Sequence, residues 1–208
     1  MAEFNGDKSG RPESWREQKK RETLKRITEE GVKLFVANGY EATTLDAIAT
    51  AAGISRRTFF YYFKSKDDIL LSLQTSGTEA VVAALMEEPA DRPPLIAVRN
   101  ALLKVCAVYQ PDEMIVIDRL MLSSPTLQAR KQASYLVQEQ TLFAALSERW
   151  PDPRLGKGLR LVAMVAVGTM RLSLESWRAE GGKRPVAELV KDYFAAMQDA
   201  IDVSSSTN

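Results

Sequence analysis

No stretch of this chain alternates apolar and polar residues in the two-residue rhythm of a half-buried strand, whereas apolar side chains return at three- and four-residue spacing almost throughout. A chain patterned in this way hides its apolar surface only by packing helix on helix, so the predicted fold class is all-α. Prolines and glycines cut the pattern into segments. A first helix opens at Ser14, with Glu17 at capping-box spacing, carries Leu24, Ile27, Leu34 and Phe35 on one stripe, and stops at Asn38-Gly39. Thr44 precedes LDAIATAA, which Gly53 stops, and Ser55 is placed to cap a further short helix through Tyr62. Two helices of about two turns separated by a tight turn have the spacing of a helix-turn-helix.

Ser65 and Asp68 open a long helix over about 65–88 that carries Ile69, Leu70, Leu73, Val81, Val82 and Leu85 and ends before Pro89. Five more apolar-periodic segments follow, at about 93–109, 112–122, 125–149, 154–179 and 185–202, bounded by prolines and by Gly181-Gly182. Residues 1–13 lack apolar periodicity and read as a disordered tail. The expected organisation is this tail, a helix-turn-helix domain over 14–64 and a helical domain over 65–208. With 45% apolar and 26% charged residues, the chain has ordinary globular composition.

Histidine is absent and Cys106 is the one cysteine, which removes His-ligated zinc, thiolate clusters, Ser-His-Asp triads and intrachain disulfides. No paired acids stand in a catalytic spacing and no glycine-rich phosphate loop is present. The expectation is therefore a protein that is not an enzyme and needs no metal or cofactor. The start MAEFNGDKSGRPESW lacks a secretory apolar stretch, and the apolar run 161–170 is too short to span a bilayer, so a cytoplasmic protein with no membrane partner is expected.

Net charge is only +1, so any polyanion-binding signal must be local. It is found between Ala47 and Lys66, which hold no acid but carry Arg56, Arg57, Lys64 and Lys66 interleaved with Phe59, Phe60, Tyr61, Tyr62 and Phe63. Cations to neutralise phosphates, donors on an exposed helix start and aromatic bodies that seat that helix are what a major-groove reader requires. A solvated charged face above an aromatic core is the plainer alternative. A second basic stretch, Lys8 to Arg26, holds eight cations against three acids and offers a weaker candidate arm for DNA.

From about Ile27 to Leu70 the chain resembles the TetR family of transcriptional regulators, through Gly39-Tyr40, Thr43-Thr44, Leu45, Ile48-Ala49, Ala52-Gly53-Ile54-Ser55, Thr58-Phe59, Phe63 and Lys66 in the family's order. Gly31 stands where the family usually has Ala, Phe60 where it usually has Tyr, and Tyr62 where it often has His. The first departure is expected to loosen the first helix, and the second removes a hydroxyl that commonly meets a phosphate. The resemblance implies that the helix from Ser55 enters the major groove with Arg56, Arg57 and Thr58 near base edges, Arg57 being the first choice for readout. Thr44, Tyr61, Tyr62 and Lys66 would then meet phosphates.

Beyond residue 76 the chain carries fifteen cations and sixteen acids and is near-neutral and apolar. Residues 159–177 are apolar nearly all around, which implies burial on two sides. The resemblance implies a homodimer through about 154–179 and 185–202 that binds a palindromic operator, with an effector cavity in the helices of about 93–149; the second half faintly resembles the AcrR branch. Cys106, Tyr109, Met114, Met121, Phe143 and Met164 are candidate apolar lining, and Arg119 a candidate partner for an anionic ligand or for Asp118, Asp112 or Glu175. The family reading is a ligand-responsive repressor. Its rivals are an architectural DNA binder without effector and a helical small-molecule carrier or enzyme.

Overall fold

The computed structural model describes residues 15–89, 91–108, 111–123 and 125–205, and the chain divides into two compact units between Ile69 and Leu70. Among the described residues the regular structure is helical, without strands. The predicted cap at Ser14 and the tail before it lie outside the described residues.

The first unit contains α1 (Trp15–Asn38), α2 (Leu45–Ala51), α3 (Arg56–Tyr62) and the first turn of α4 (Lys66–Met86). Helix α1 buries Ile27, Thr28, Gly31 and Phe35, a stripe at helical spacing. It ends where Gly39, at φ +83°, takes a left-handed conformation and its N–H bonds to the Phe35 carbonyl at 3.0 Å. The buried Thr43 hydroxyl donates to the Gly39 carbonyl at 2.8 Å, holding the connection to α2. Thr44 caps α2 by accepting from the Ala47 N–H, and Ser55 caps α3 by accepting from the Thr58 N–H. The turn between them is set by Gly53 at φ +64° and closed by the Ile54 N–H on the Ala49 carbonyl at 2.9 Å. Ile48, Phe59 and Ile69, all fully buried, join Ile27 and Phe35 beneath these helices.

Gly31 corrects the expectation of a loosened α1. A Cβ built there would lie 2.9 Å from Ile69 Cδ1 and 3.2 Å from its Cγ2, so the glycine admits the start of α4 against α1. Ile69 makes this close approach while fully buried.

The second unit contains the rest of α4, α5 (Pro94–Cys106), α6 (Pro111–Met121), α7 (Pro125–Arg149), α8 (Gly156–Ala179) and α9 (Val186–Ser205), with one 3-10 turn at Pro153–Leu155. Helix α8 packs on α5, α7 and α9, and α5 also meets α9. Leu85, Val98, Ala101, Leu146, Ala163, Ala166, Trp177 and Val190 form the centre of this core. Arg149 at the end of α7 donates to the Met86 and Glu88 carbonyls, satisfying acceptors that the end of α4 leaves open. By length and apolarity alone Lys66–Met86 meets the requirement for a membrane span; Ile69, Leu70 and Leu85 on it are fully buried.

Candidate nucleic-acid interface and cavity

The local rules that build α2 and α3 also decide which cations remain available. Arg56, the first residue of α3, reaches back to Asp46 on α2, with its Nη1 2.9 Å from Oδ2, and lies over the Phe60 ring at 5.7 Å. Both members of this pair are well exposed, so the attraction is weak, about 0–1 kcal/mol, and a phosphate can compete for the guanidinium. Arg57 is exposed and makes no ion pair among the described residues. Thr58 is half-buried, and its hydroxyl lies 2.8 Å from the Ser55 hydroxyl, so both are partly engaged in closing the helix start.

Tyr61 is 72% exposed, and its ring meets Tyr62 edge to face at 5.1 Å. Phe60 is half-exposed, whereas Phe59 and Phe63 are buried and seat α3 on the unit. The residues proposed from sequence at 44, 55, 56, 57, 58, 61 and 62 are therefore on α3 or at the caps of α2 and α3, with Arg56, Arg57 and Tyr61 exposed.

Lys66 is placed differently from the phosphate contact expected of it. Its ammonium donates to the Tyr40 carbonyl at 2.6 Å and the Glu41 carbonyl at 3.2 Å, and sits 4.3 Å from the centre of the Tyr40 ring. Its side chain is only 22% exposed. The first amides before α4 are also engaged, because Asp68 Oδ2 accepts from the Lys64 and Ser65 N–H groups. Lys64 was part of the basic stretch but not a chosen site. Its side chain is exposed just beyond α3 and has no ion pair among the described residues.

Within the second unit, α4, α5, α6, α7, α8 and the start of α9 line a half-open cavity of about 310 Å³. That is near the lower end of the roughly 300–1,000 Å³ usual for small-molecule sites. Its walls are mainly apolar, with Leu70 and Leu73 from α4, Leu102 and Cys106 from α5, Met121 from α6, and Leu142 and Met170 from α7 and α8. Burial pushes the Cys106 thiol up to about 12, so it serves as a neutral apolar wall rather than a thiolate nucleophile near neutral pH.

Of the lining proposed from sequence, Cys106 and Met121 face the cavity, whereas Arg119, Phe143 and Met164 do not. Arg119 is exposed, Phe143 packs beside the core beneath the Arg160 guanidinium, and Met164 is 47% exposed on α8. Tyr109 and the Met114 side chain lie outside the described residues. The charged groups that do reach the cavity are Asp118, Lys131 and Arg171, joined by Gln74, Tyr135 and Gln138. Lys131 had no sequence signal beyond an ordinary charge on α7, because its burial depends on Asp118, thirteen residues earlier.

Residues 27–73 match the family described as bacterial regulatory proteins, tetR family, and residues 92–202, more than half the chain, match the MftR C-terminal domain. The chain belongs to the TetR family. The chain is 37% identical over 103 residues to the HTH-type transcriptional regulator TcmR of Streptomyces glaucescens, covering 50% of this chain and 46% of that one. It is 26% identical over 165 residues to the fatty acid metabolism regulator protein of Bacillus subtilis (strain 168), covering 76% and 84%. Among solved structures it is similar in fold to the regulator FadR of Bacillus subtilis in complex with stearoyl-CoA, with a TM-score of 0.53, 20% identity and 81% and 94% coverage. The tetR-family match spans α2 and α3, which form its helix-turn-helix, and the chain spans about half the length of the first of these curated relatives.

Proposed function

We propose that this TetR-family protein is a cytoplasmic, effector-responsive repressor that binds a palindromic operator as a homodimer and acts by binding rather than catalysis. The observation that carries the reading is the presence, in one chain, of a helix-turn-helix whose Arg57 makes no ion pair among the described residues and of a separate apolar cavity. In this reading α3 lies in the major groove. Arg57 reads a guanine through its O6 and N7, Arg56 and Thr58 lie near neighbouring bases, and Thr44, Tyr61, Tyr62 and Lys64 meet phosphates.

The dimer is supported by apolar residues that the single chain leaves uncovered on its last two helices. Leu161 and Met164 on α8 are 60% and 47% exposed, and Ile201 on α9 is 52% exposed. A two-fold interface through α8 and α9 would cover them and provide two reading heads for half-sites about one helical turn apart. Helix α4 runs continuously through the division between the units, so an effector that favours one disposition of α4 would change DNA affinity by the same coupling free energy.

Selection of duplexes from a random library by the full-length protein, with Arg57→Ala in parallel, tests this reading. The expected result is a two-fold symmetric motif in which Arg57→Ala relaxes one base position per half-site, a loss of about 1–3 kcal/mol of discrimination. An asymmetric motif, or one that Arg57→Ala leaves untouched, would contradict it.

A further inference from the structure

The charged side chains on the cavity wall are Asp118, Lys131 and Arg171, and among the described residues the charges around them do not balance. Asp118 on α6 is 9% exposed and Lys131 on α7 is 7% exposed, yet both line the cavity. The same carboxylate oxygen, Asp118 Oδ1, accepts from Lys131 Nζ at 3.2 Å and from Arg178 Nη1 on α8 at 2.9 Å. Arg171 on α8, also on the cavity wall, is paired with Glu175 at 2.7 Å. These groups surround Tyr135, whose hydroxyl is pushed up by burial. Among the described residues three cations thus stand against two acids, and the excess positive charge falls on the Asp118 group, where one carboxylate is shared by two bases.

We infer that the effector is an amphiphile bearing a single negative charge, whose anionic group is received by Lys131 and whose apolar body fills the space between α4, α5 and α7. This inference rests on the reading of the cavity as the effector site and adds the charge of the ligand. The sign follows from the balance. An anion offsets the excess positive charge, a cation adds to it beside the buried Lys131–Asp118 pair, and a neutral molecule leaves the imbalance unchanged. Lys131 is suited to the contact because its ammonium has three donors and, among the described residues, one protein acceptor, Asp118. The apolar walls contributed by Leu70, Leu73, Leu102 and Leu142 restrict the rest of the ligand to hydrocarbon-like chemistry.

The test compares three probes with the same chain, decanoate, 1-decanol and decylammonium, by calorimetric titration into the full-length protein at neutral pH. Decanoate is expected to bind most tightly and decylammonium least. Lys131→Met should weaken decanoate by roughly 10- to 100-fold, the range of a charged hydrogen bond, while leaving decanol unchanged. Asp118→Asn, which removes the competing carboxylate, should strengthen decanoate, and Lys131→Arg should preserve the preference for the anion. Thermal melts of each variant identify any that fail to fold, and the wild-type ranking stands without them.

Decanol binding as tightly as decanoate, a preference for decylammonium, or an equal loss of decanoate and decanol in Lys131→Met overturns the assignment of charge while leaving the cavity a ligand site. If none of the three probes binds, the reading of the cavity fails and the inference fails with it.

Discussion

Replacing Gly31 with alanine, the residue usual in the family, sets helix propensity against packing. Propensity alone favours alanine in a helix interior by about 0.5–1 kcal/mol. The structure opposes it, since the new methyl would meet Ile69 at 2.9 Å and 3.2 Å, with Ile48 Cγ2 a further 3.7 Å away. Ile69 is fully buried and β-branched, so its Cγ2 is held by a stiff χ1 while its Cδ1 retains some freedom. Overpacking of this kind costs about 1–3 kcal/mol, which leaves a net destabilisation between about zero and about 2.5 kcal/mol after the propensity gain. Ile69→Val removes the atom in the 2.9 Å contact. In that background Gly31→Ala should cost less or stabilise, giving a favourable coupling of about 1 kcal/mol. Urea unfolding followed by far-ultraviolet circular dichroism on the four proteins measures the cycle. Stabilisation by Gly31→Ala with no coupling to Ile69→Val would refute the packing argument and return Gly31 to a simple propensity defect.

Other expectations are separable by their readouts. Lys66→Met should lower stability by roughly 1–3 kcal/mol by leaving the Tyr40 and Glu41 carbonyls without their ammonium, with the salt dependence of DNA binding unchanged, whereas Lys64→Ala should reduce the slope of log K against log salt by about 0.9. Leu161→Glu should raise the dimer dissociation constant by roughly 100-fold or more, as measured by sedimentation, by placing a charge in the proposed interface; an unchanged constant would remove α8 from it. The thiol of Cys106 is raised from 9.0 to about 12 in the folded chain, so the unfolded state loses its proton first as pH rises. Its contribution is complete below pH 9.0 and is lost through about pH 12, a decline of about 1.4 kcal/mol per pH unit. Urea unfolding of wild type and Cys106→Ala across that range should show this extra slope only in the wild type.

The helices were legible because their signals are local. Thr44 and Ser55 act on amides three residues away, Gly39 and Gly53 supply left-handed backbone, and Pro111 and Pro125 stand at the starts of α6 and α7. The Asp68 carboxylate likewise serves the amide three residues before it, as its spacing from Ser65 predicts.

The assignment of individual cations was less legible. Arg56 and Arg57 are adjacent, but Asp46 lies within reach of the first. Lys64 and Lys66 are two residues apart, but the second is drawn into carbonyls twenty-five and twenty-six residues earlier. In the cavity, a helical step of about 100° per residue separates exposed Arg119 from buried Asp118, and the partners of Asp118 come from α7 and α8.

The sequence by itself therefore determined the all-α class, the approximate positions of the helices, the helix-turn-helix and the restriction to chemistry without histidine, because each follows from residue type and short-range spacing. Tertiary structure alone decided which charges remain open to a partner and which residues face the cavity. Those properties depend on the rotation of each helix and on groups brought together from distant parts of the chain, as when Lys131 and Arg178 converge on one oxygen of Asp118.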